Sequence, residues 1–325
     1  NVTVLKDAAS ASIYGSRAAN GVILVTTKQA KEGAASFEYQ LDTGIHSPTR
    51  LPDLVTNSVE YMEMHNSAST RSGVAPIYTQ DRIDAYRNAT DLEQYPNFDW
   101  LDYYFNPATV VNHYMSFSNV TDKSSYKFSL NYLDQDGILP NINYKRYNAQ
   151  LNFSNQISKA VKIGTNISAI FGDNSEPAGW GSTSILAVYQ HAPLYKPFLP
   201  DGSGRKTAWA YPNEGHNATA PTAFDNGTRS SKNYNINAQA YADINLFKGL
   251  TWTTKLALNY VDYTQKDHAF QTQEHYFYHK EPGEADYTLA ANVTGGAGVT
   301  DYSSKSITPT VYSIINYGTD IGSDD

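Results

Sequence analysis

The stretch Tyr147–Ile157, with the sequence YNAQLNFSNQI, decides the fold class of this chain. Its apolar and polar residues alternate, with Tyr147, Ala149, Leu151, Phe153 and Ile157 in one set and Asn148, Gln150, Asn152, Ser154 and Gln156 in the other. Because successive side chains of a β-strand point to opposite faces, this pattern predicts a strand with one apolar and one polar face.

The same alternation recurs along the chain, at residues 37–45, 111–117, 126–132, 161–171, 234–246 and 252–260, with a poorer example at 311–317. The charges inside these strands belong to the polar set: Glu38, Asp42, Lys127, Lys162, Asp243 and Lys255. A Lys or Arg on the lipid side of a membrane barrel costs roughly 2–4 kcal/mol at mid-bilayer, so its exclusion there is expected. A soluble β-sandwich also keeps charges off its buried face, so this observation fits both architectures.

The connections between the strands distinguish the two architectures better. They are short near residues 121–123, 158–160 and 248–249, and longer at 46–109, 134–143, 172–231 and 263–308. Alternation of short and long connections is typical of outer-membrane barrels, which have short periplasmic turns and long extracellular loops. We therefore expect an all-β chain forming a partial antiparallel transmembrane β-barrel, with its polar face inward. Within 46–109, Val59, Met62 and His65 are spaced as in a helix, as are Ile83 and Tyr86.

The composition excludes several other classes of protein. The 325 residues carry a net charge of −8, which argues against binding of nucleic acid. Charged residues make up 17%, below the roughly 25% of a typical soluble domain. The mean hydropathy of −0.50 excludes a bundle of transmembrane helices, and the absence of cysteine excludes disulfides and thiolate metal sites.

The first residues predict a small α+β unit instead of a barrel strand. Residues 2–5 and 22–27 read as strands, and Asp7 can cap a short helix that runs to Tyr14 and stops at Gly15. Asn20 and Gly21 form a turn signal. Phosphate binding by residues 14–17 is disfavoured because no phosphate-loop motif is present.

Residues 2–28 closely resemble the end of the plug domain of TonB-dependent outer-membrane receptors. The form Ala11-Ser12-Ile13-Tyr14-Gly15-Ser16-Arg17-Ala18-Ala19-Asn20-Gly21 is similar to the SusC/RagA branch of that family. Residues 58–62, the pair Asp99-Trp100 and residues 126–138 resemble the early barrel of the same family. The resemblance implies that residues 1–32 are the C-terminal part of a plug. Residues 33–325 are then the N-terminal part of the barrel, with about eight strands, and the chain is expected to be a fragment.

The resemblance also implies a function at the bacterial outer membrane. It implies TonB-dependent import of oligosaccharides or peptides, with a SusD-like lipoprotein as a lid and outer-membrane lipid around the barrel. The TonB complex would act through a segment outside this chain, and neither catalysis nor a cofactor is expected. The plug motif comprises Asp7, Tyr14, Gly15, Arg17, Asn20 and Gly21, of which Gly15 and Gly21 allow turns and Arg17 is expected to pair with a carboxylate on the inner wall.

Aromatic residues in the long 172–231 connection are candidates for contact with substrate or partner: Trp180, Tyr189, Tyr195, Trp209 and Tyr211. The alternative is that they pack the loop against itself or its lid. Trp252 and Tyr260 are expected at the membrane interface, where amphipathic rings are favoured. His268, His275 and His279 lack the spacing of a helical zinc motif, so a metal site is not expected. The alternative function is a soluble or surface β-rich glycan-binding protein that buries its apolar face.

Overall fold

The computed structural model describes residues 2–5, 22–25, 33–178, 182–199, 202–204, 206–207, 224, 227–269, 276–279, 288–292 and 297–318. Strand β1 (Val2–Leu5) pairs antiparallel with β2 (Val22–Val25), as the sequence predicts for both strands. The helix predicted from Asp7 to Tyr14 lies outside the described residues.

Eight strands form the main sheet. They are β3 (Gly33–His46), β4 (Ala108–Val120), β5 (Ser124–Asp136), β6 (Asn143–Gln156), β7 (Val161–Pro177), β9 (Gly227–Phe247), β10 (Leu250–Ala269) and β13 (Gly298–Tyr317). Each pairs antiparallel with the next one along the chain in this order. Among the described strands, β3 and β13 have one neighbour each, so the sheet is an open part of a barrel. Each of the eight strands overlaps an alternating segment of the sequence. The predicted connection 263–308 is too long, because residues 263–269 belong to β10 and residues 298–308 to β13.

A smaller sheet lies within the long connections. It consists of β8 (Lys206–Thr207), β11 (Tyr276–His279) and β12 (Thr288–Asn292), in the order β12-β11-β8. Strand β11 pairs antiparallel with β12 and parallel with β8. The sequence is consistent with a strand or a loop at residues 276–278, and it does not predict β8 or β12.

The connections at one end of the main sheet are short, tight turns. The Ser158 hydroxyl accepts hydrogen bonds from the amides of Ala160 and Val161, and Gly249 has φ 84°, a conformation that favours glycine. The short connections are therefore 121–123, 157–160 and 248–249, and the long ones are 47–107, 137–142, 178–226 and 270–297. In a sheet of consecutive antiparallel strands, alternate connections lie at opposite ends. All long connections consequently share one end, which we call the long-loop end.

The described residues of the long connections include four helices: α1 (Ser58–Arg71), α2 (Gln80–Arg87), α3 (Trp100–Tyr104) and α4 (Ser182–Tyr189). The first two confirm the helical spacing read from the sequence. Side chains of Asn57, Thr79 and Asp99 cap the first three by accepting from backbone amides of the first turn. Within the described residues, none of the helices has the length and apolar character needed to cross a bilayer.

The buried apolar core lies in these connections and not on the faces of the main sheet. One cluster contains Trp100, Leu101, Tyr104, Leu139, Val188 and Phe224. A second contains Met62, Tyr78, Ile83, Ala192, Leu194 and Tyr195. Each cluster joins residues from two or three different connections, so the loops stabilise one another.

Candidate functional site: a two-faced sheet and its loop cap

One face of the main sheet is apolar and exposed. The strand register aligns one residue from each strand in a single row across this face: Phe37, Phe117, Phe128, Leu151, Ile167, Ala238, Leu258 and Pro309. Phe37 is 70% exposed and Leu258 is 42% exposed. Soluble monomers rarely expose a contiguous apolar patch of more than a few hundred Å². A soluble sandwich would bury this face, so the exposure favours the membrane barrel over the alternative.

The opposite face is polar across all eight strands. The row next to the apolar one reads Glu38, Ser116, Ser129, Gln150, Ser168, Asn237, Asn259 and Thr308. The charged residues that the sequence assigns to the polar set lie on this face. The register thus confirms the predicted separation of the two faces within the alternating segments.

Asparagine side chains connect four strands on the polar face. Asn148 Nδ2 donates to Asn131 Oδ1 at 3.1 Å, and Asn131 Nδ2 donates to Asn112 Oδ1 at 2.6 Å. Asn112 Nδ2 in turn donates to Asp42 Oδ2 at 3.3 Å. Because these amides bind one another, the polar face keeps a fixed arrangement of donors and acceptors toward the barrel interior.

An aromatic belt crosses the apolar face near the long-loop end. It comprises His113, Tyr132, Tyr147, Phe171 and Tyr234, which are successive register partners on β4, β5, β6, β7 and β9. Their ring centroids are 6.1, 4.8, 5.7 and 4.6 Å apart in that order. Aromatic girdles at the level of the lipid headgroups are a feature of transmembrane barrels.

A charged row follows the belt on the same face, one step closer to the long-loop end. It comprises Asp134, Lys145, Asp173 and Lys232, again as successive register partners. Lys145 Nζ lies 3.6 Å from Asp134 Oδ2. Farther along the sheet, Asp262 and Lys305 continue the belt's own row as an ion pair of 3.5 Å. The strands therefore extend beyond their alternating segments, and the extensions bear charges on the apolar face.

The belt and the charged row define one boundary of an apolar band. From Tyr147 to Ile157 the strand advances about 33 Å at about 3.3 Å per residue. A tilt of about 40° reduces this to a height of about 25 Å, the usual apolar height of an outer-membrane barrel. At the other boundary, Trp252 donates from Nε1 to Ser313 Oγ at 2.8 Å. Tyr260 lies inside the band, one row below the belt, and donates to Asp262 at 2.8 Å.

The described residues of connections 47–107, 137–142 and 178–226 form one unit, which we call the loop cap. Phe98 N donates to the Pro193 carbonyl at 2.9 Å, which links the first connection to the third. Asn106 N donates to Ile138 O at 2.9 Å, and Asn141 Nδ2 donates to Phe224 O at 2.8 Å, so the middle connection binds both others. These contacts place a folded layer at the long-loop end of the sheet.

The structure places two of the five predicted contact residues in this cap. Tyr195 is 7% exposed in the second cluster, and its hydroxyl accepts from Arg82 Nη2 at 3.4 Å. Tyr189 is half-buried and packs against the first cluster. Trp180, Trp209 and Tyr211 lie outside the described residues, so a contact role for the five stays a prediction. The plug-motif residues Asp7, Tyr14, Gly15, Arg17, Asn20 and Gly21 also lie outside them.

The aromatic belt, the charged row and the cohesion of the cap are not predicted from the sequence. The belt has a signal in the sequence, since an aromatic residue stands near the long-loop end of four alternating segments. The structure also shows no group of three His, Asp or Glu residues suited to a metal ion in the part of the chain that it describes. His268 and His279 belong to separate strands, β10 and β11, and His275 lies outside the described residues.

Two curated proteins that are similar to this chain are both TonB-dependent receptors. The chain is 30% identical over 208 residues to TonB-dependent receptor P26 of Formosa agariphila, covering 62% of this chain and 19% of that protein. It is also 30% identical over 203 residues to TonB-dependent receptor SusC of Bacteroides thetaiotaomicron, covering 60% of this chain and 18% of SusC. No family model matches the chain. The chain thus spans about a fifth of the length of these curated relatives.

The fold agrees with a solved structure of the RagAB peptide transporter. That comparison gives a TM-score of 0.70 at 22% identity, and it covers 99% of this chain and 37% of the transporter chain. At this identity the match shows the fold alone, and the sequence matches show similarity to part of the TonB-dependent receptors. The chain is similar to the SusC/RagA-like TonB-dependent transporters, of which it represents part of the length.

Proposed function

We propose that this chain is part of a transporter that imports nutrients across the bacterial outer membrane. The observation that carries the proposal is the exposed apolar face, which a belt of aromatic rings and a row of charges delimit. Such a surface is stable against lipid and unstable against water. The relatives are TonB-dependent receptors, which supports energy supply by the TonB complex and the absence of chemistry on the substrate.

Within this proposal, residues 1–32 are the C-terminal part of a plug and residues 33–325 the N-terminal part of the barrel. The antiparallel pair β1–β2 and the eight-stranded sheet support this division. The polar face then lines the interior, and Arg17 of the plug pairs with a carboxylate there. Glu38 and Asp42 are carboxylates on that face.

The proposed substrate is a peptide or an oligosaccharide, captured with a SusD-like lipoprotein acting as a lid. The solved structure with the matching fold is described as a peptide transporter, which supports a peptide. The oligosaccharide alternative rests on the resemblance of the sequence to the SusC/RagA branch. The loop cap is the surface that such a lid would meet. Trp180, Tyr189, Trp209 and Tyr211 are proposed to contact substrate or lid, and Tyr195 to contribute from inside the cap because it is buried.

Uptake by cells tests this function directly. Cells that express the transporter containing this chain should accumulate labelled short peptides or oligosaccharides, and cells without it should not. Loss of TonB should abolish the difference, while fractionation should recover the protein with the outer membrane. Recovery as a detergent-free soluble protein that binds glycans would support the alternative function instead.

A further inference from the structure

The polar face carries few charges in the half of the main sheet nearest the long-loop end. The Asp, Glu, Lys and Arg residues that the described strands place there are Asp42, Arg146, Glu176, Arg229 and Asp267. Arg229 binds Asp267 and Glu176, and Asp42 accepts hydrogen bonds from Gln40 and Asn112. Among the described residues, Arg146 has neither an ion pair nor a side-chain hydrogen bond. Its charge is therefore not balanced by any carboxylate of the described strands.

The positions around Arg146 on the polar face are all uncharged. Its register partners are Leu133 on β5 and Gly172 on β7, and its neighbours on the same face of β6 are Tyr144 and Asn148. The four diagonal positions on the adjacent strands are also uncharged: Asn131, Gln135, Ile170 and Asn174. The carboxylates of Asp134 and Asp173 belong to the opposite, apolar face, where they flank Lys145.

The guanidinium of Arg146 is only partly covered. The residue is half-buried, and its Nε is buried without a hydrogen-bond partner among the described residues. The two Nη groups also lack such partners but are not buried, so they remain accessible from the polar face. A buried donor without an acceptor and a partly desolvated cation without a counter-charge both cost free energy. An anion at the exposed edge of the guanidinium supplies the missing counter-charge.

Tyr144 and Gly172 give this site its shape. Gly172 places no side chain next to Arg146, and the Tyr144 hydroxyl lies 3.2 Å from the point where a Cβ at this glycine would stand. Gln135 is the register partner of Tyr144 and adds a primary amide on the neighbouring strand. Arginine binds the two oxygens of a carboxylate through two parallel hydrogen bonds, and a hydroxyl or an amide beside it can donate a third. The arrangement is therefore suited to a carboxylate.

The site lies close to the loop cap. Residue 146 stands between Tyr147 of the aromatic belt and Lys145 of the charged row, whose side chains point to the other face. Strand β6 begins at Asn143, directly after connection 137–142, and that connection binds the other two connections of the cap. A molecule that passes the cap toward the barrel interior consequently meets this part of the wall first.

We propose that Arg146, with Tyr144 and Gln135, is a binding site for a carboxylate group of the imported substrate. The guanidinium forms a forked pair with the two carboxylate oxygens, and the Tyr144 hydroxyl donates to one of them. The group is a carboxylate of a peptide or the carboxylate of a uronic acid in an oligosaccharide. A single cation among uncharged neighbours matches one negative charge, so a phosphate dianion fits less well. The inference rests on the proposed transport function and specifies the chemistry of the substrate.

Retention of defined mixtures on the purified intact protein that contains this chain tests the proposal. Short peptides from a protein digest and oligogalacturonides are applied separately, each in native form and after conversion of the carboxylates to methylamides. Mass spectrometry counts the retained compounds. Native compounds of at least one mixture should be retained about tenfold better than their methylamides, the effect expected for a charge-assisted pair of hydrogen bonds. The mixture that is retained shows whether a peptide or a uronic acid supplies the carboxylate.

Three variants separate this site from a general effect of charge. Arg146→Gln should weaken retention of the native compounds about tenfold, and Arg146→Lys, which keeps the charge but loses the fork, should weaken it less. Lys127→Gln removes the same charge from the polar face near the other end of the sheet and should leave retention unchanged, because Lys127 pairs with Asn152, six residues from Arg146. The yield of heat-resistant barrel is measured for each variant as the control for folding.

Equal retention of native and methylamide compounds by the wild type would overturn the carboxylate site, and this comparison holds even if Arg146→Gln fails to fold. Equal effects of Arg146→Gln and Lys127→Gln would overturn it as well. Either result leaves the proposed transport function standing. Recovery of the wild-type protein outside the outer-membrane fraction would instead contradict that function.

Discussion

The indole Nε1 of Trp100 donates a hydrogen bond of 3.0 Å to the carbonyl oxygen of Ala192. Trp100 belongs to α3 in the first long connection, Ala192 follows α4 in the third, and both are buried. The bond therefore joins two connections that are distant in sequence, at the contact between the two apolar clusters of the loop cap.

Replacement of Trp100 by Phe should loosen the cap without unfolding the sheet. The variant keeps an aromatic ring but leaves the Ala192 carbonyl without its donor, which costs about 1–3 kcal/mol when the oxygen stays buried. Limited proteolysis should then cut connections 47–107 and 178–226 faster than in the wild type. Tyr103→Phe is the matched control, because Tyr103 is 41% exposed on the same helix. Equal cleavage rates for the wild type and Trp100→Phe would show that this bond does not hold the cap together.

The interior face should be sensitive to loss of a forked ion pair. Arg229 on β9 donates from Nε and Nη2 to the two carboxylate oxygens of Asp267 on β10, both at 2.8 Å, and Glu176 on β7 lies 3.4 Å from Nη1. Arg229→Lys keeps the charge but loses the planar pair of bonds. Because these side chains are partly exposed, we expect a loss of about 1–2 kcal/mol, measured as a lower denaturant midpoint of the folded barrel. Lys266→Arg on the neighbouring strand is the control, and an unchanged midpoint for Arg229→Lys would contradict the structural role.

A side chain at position 164 should conflict with one specific ring. Gly164 on β7 is the register partner of Tyr241 on β9, and a Cβ at this glycine would overlap the Tyr241 ring. Gly164→Ala should therefore destabilise the barrel by about 1–3 kcal/mol, as overpacking does. In a Tyr241→Ala background the same change should have almost no effect, which a double-mutant cycle of denaturant midpoints measures. Additive effects of the two substitutions would exclude the conflict.

The strands could be predicted from the sequence because their signal is local. Residues such as Leu151 and Asn152 alternate within a single strand, and the pleat alone fixes their opposite faces. The positions of the strand ends were predicted less accurately. Pairing continues where alternation stops, as at Asp134 and Lys145, because backbone hydrogen bonds do not depend on side-chain polarity.

The belt and the loop cap depend on contacts between distant segments. Tyr147 and Phe171 become neighbours only through the strand register, and Trp100 reaches Ala192 only when the first and third long connections pack together. No periodicity in the sequence encodes such contacts. Single aromatic residues in the connections could be recognised as candidates, but whether they pack inward or face a ligand depends on this long-range arrangement.

Insertion into liposomes of the intact protein that contains this chain, compared between Leu151→Arg and Asn152→Arg, tests the central claim most directly. Leu151 lies in the middle of the apolar face and Asn152 is its neighbour on the polar face. Arginine at 151 should reduce the yield of heat-resistant folded barrel, because a lipid-facing Arg near mid-bilayer costs about 2–4 kcal/mol. Arginine at 152 should give a yield close to that of the wild type. Equal yields for the two variants would contradict the assignment of the apolar face to lipid.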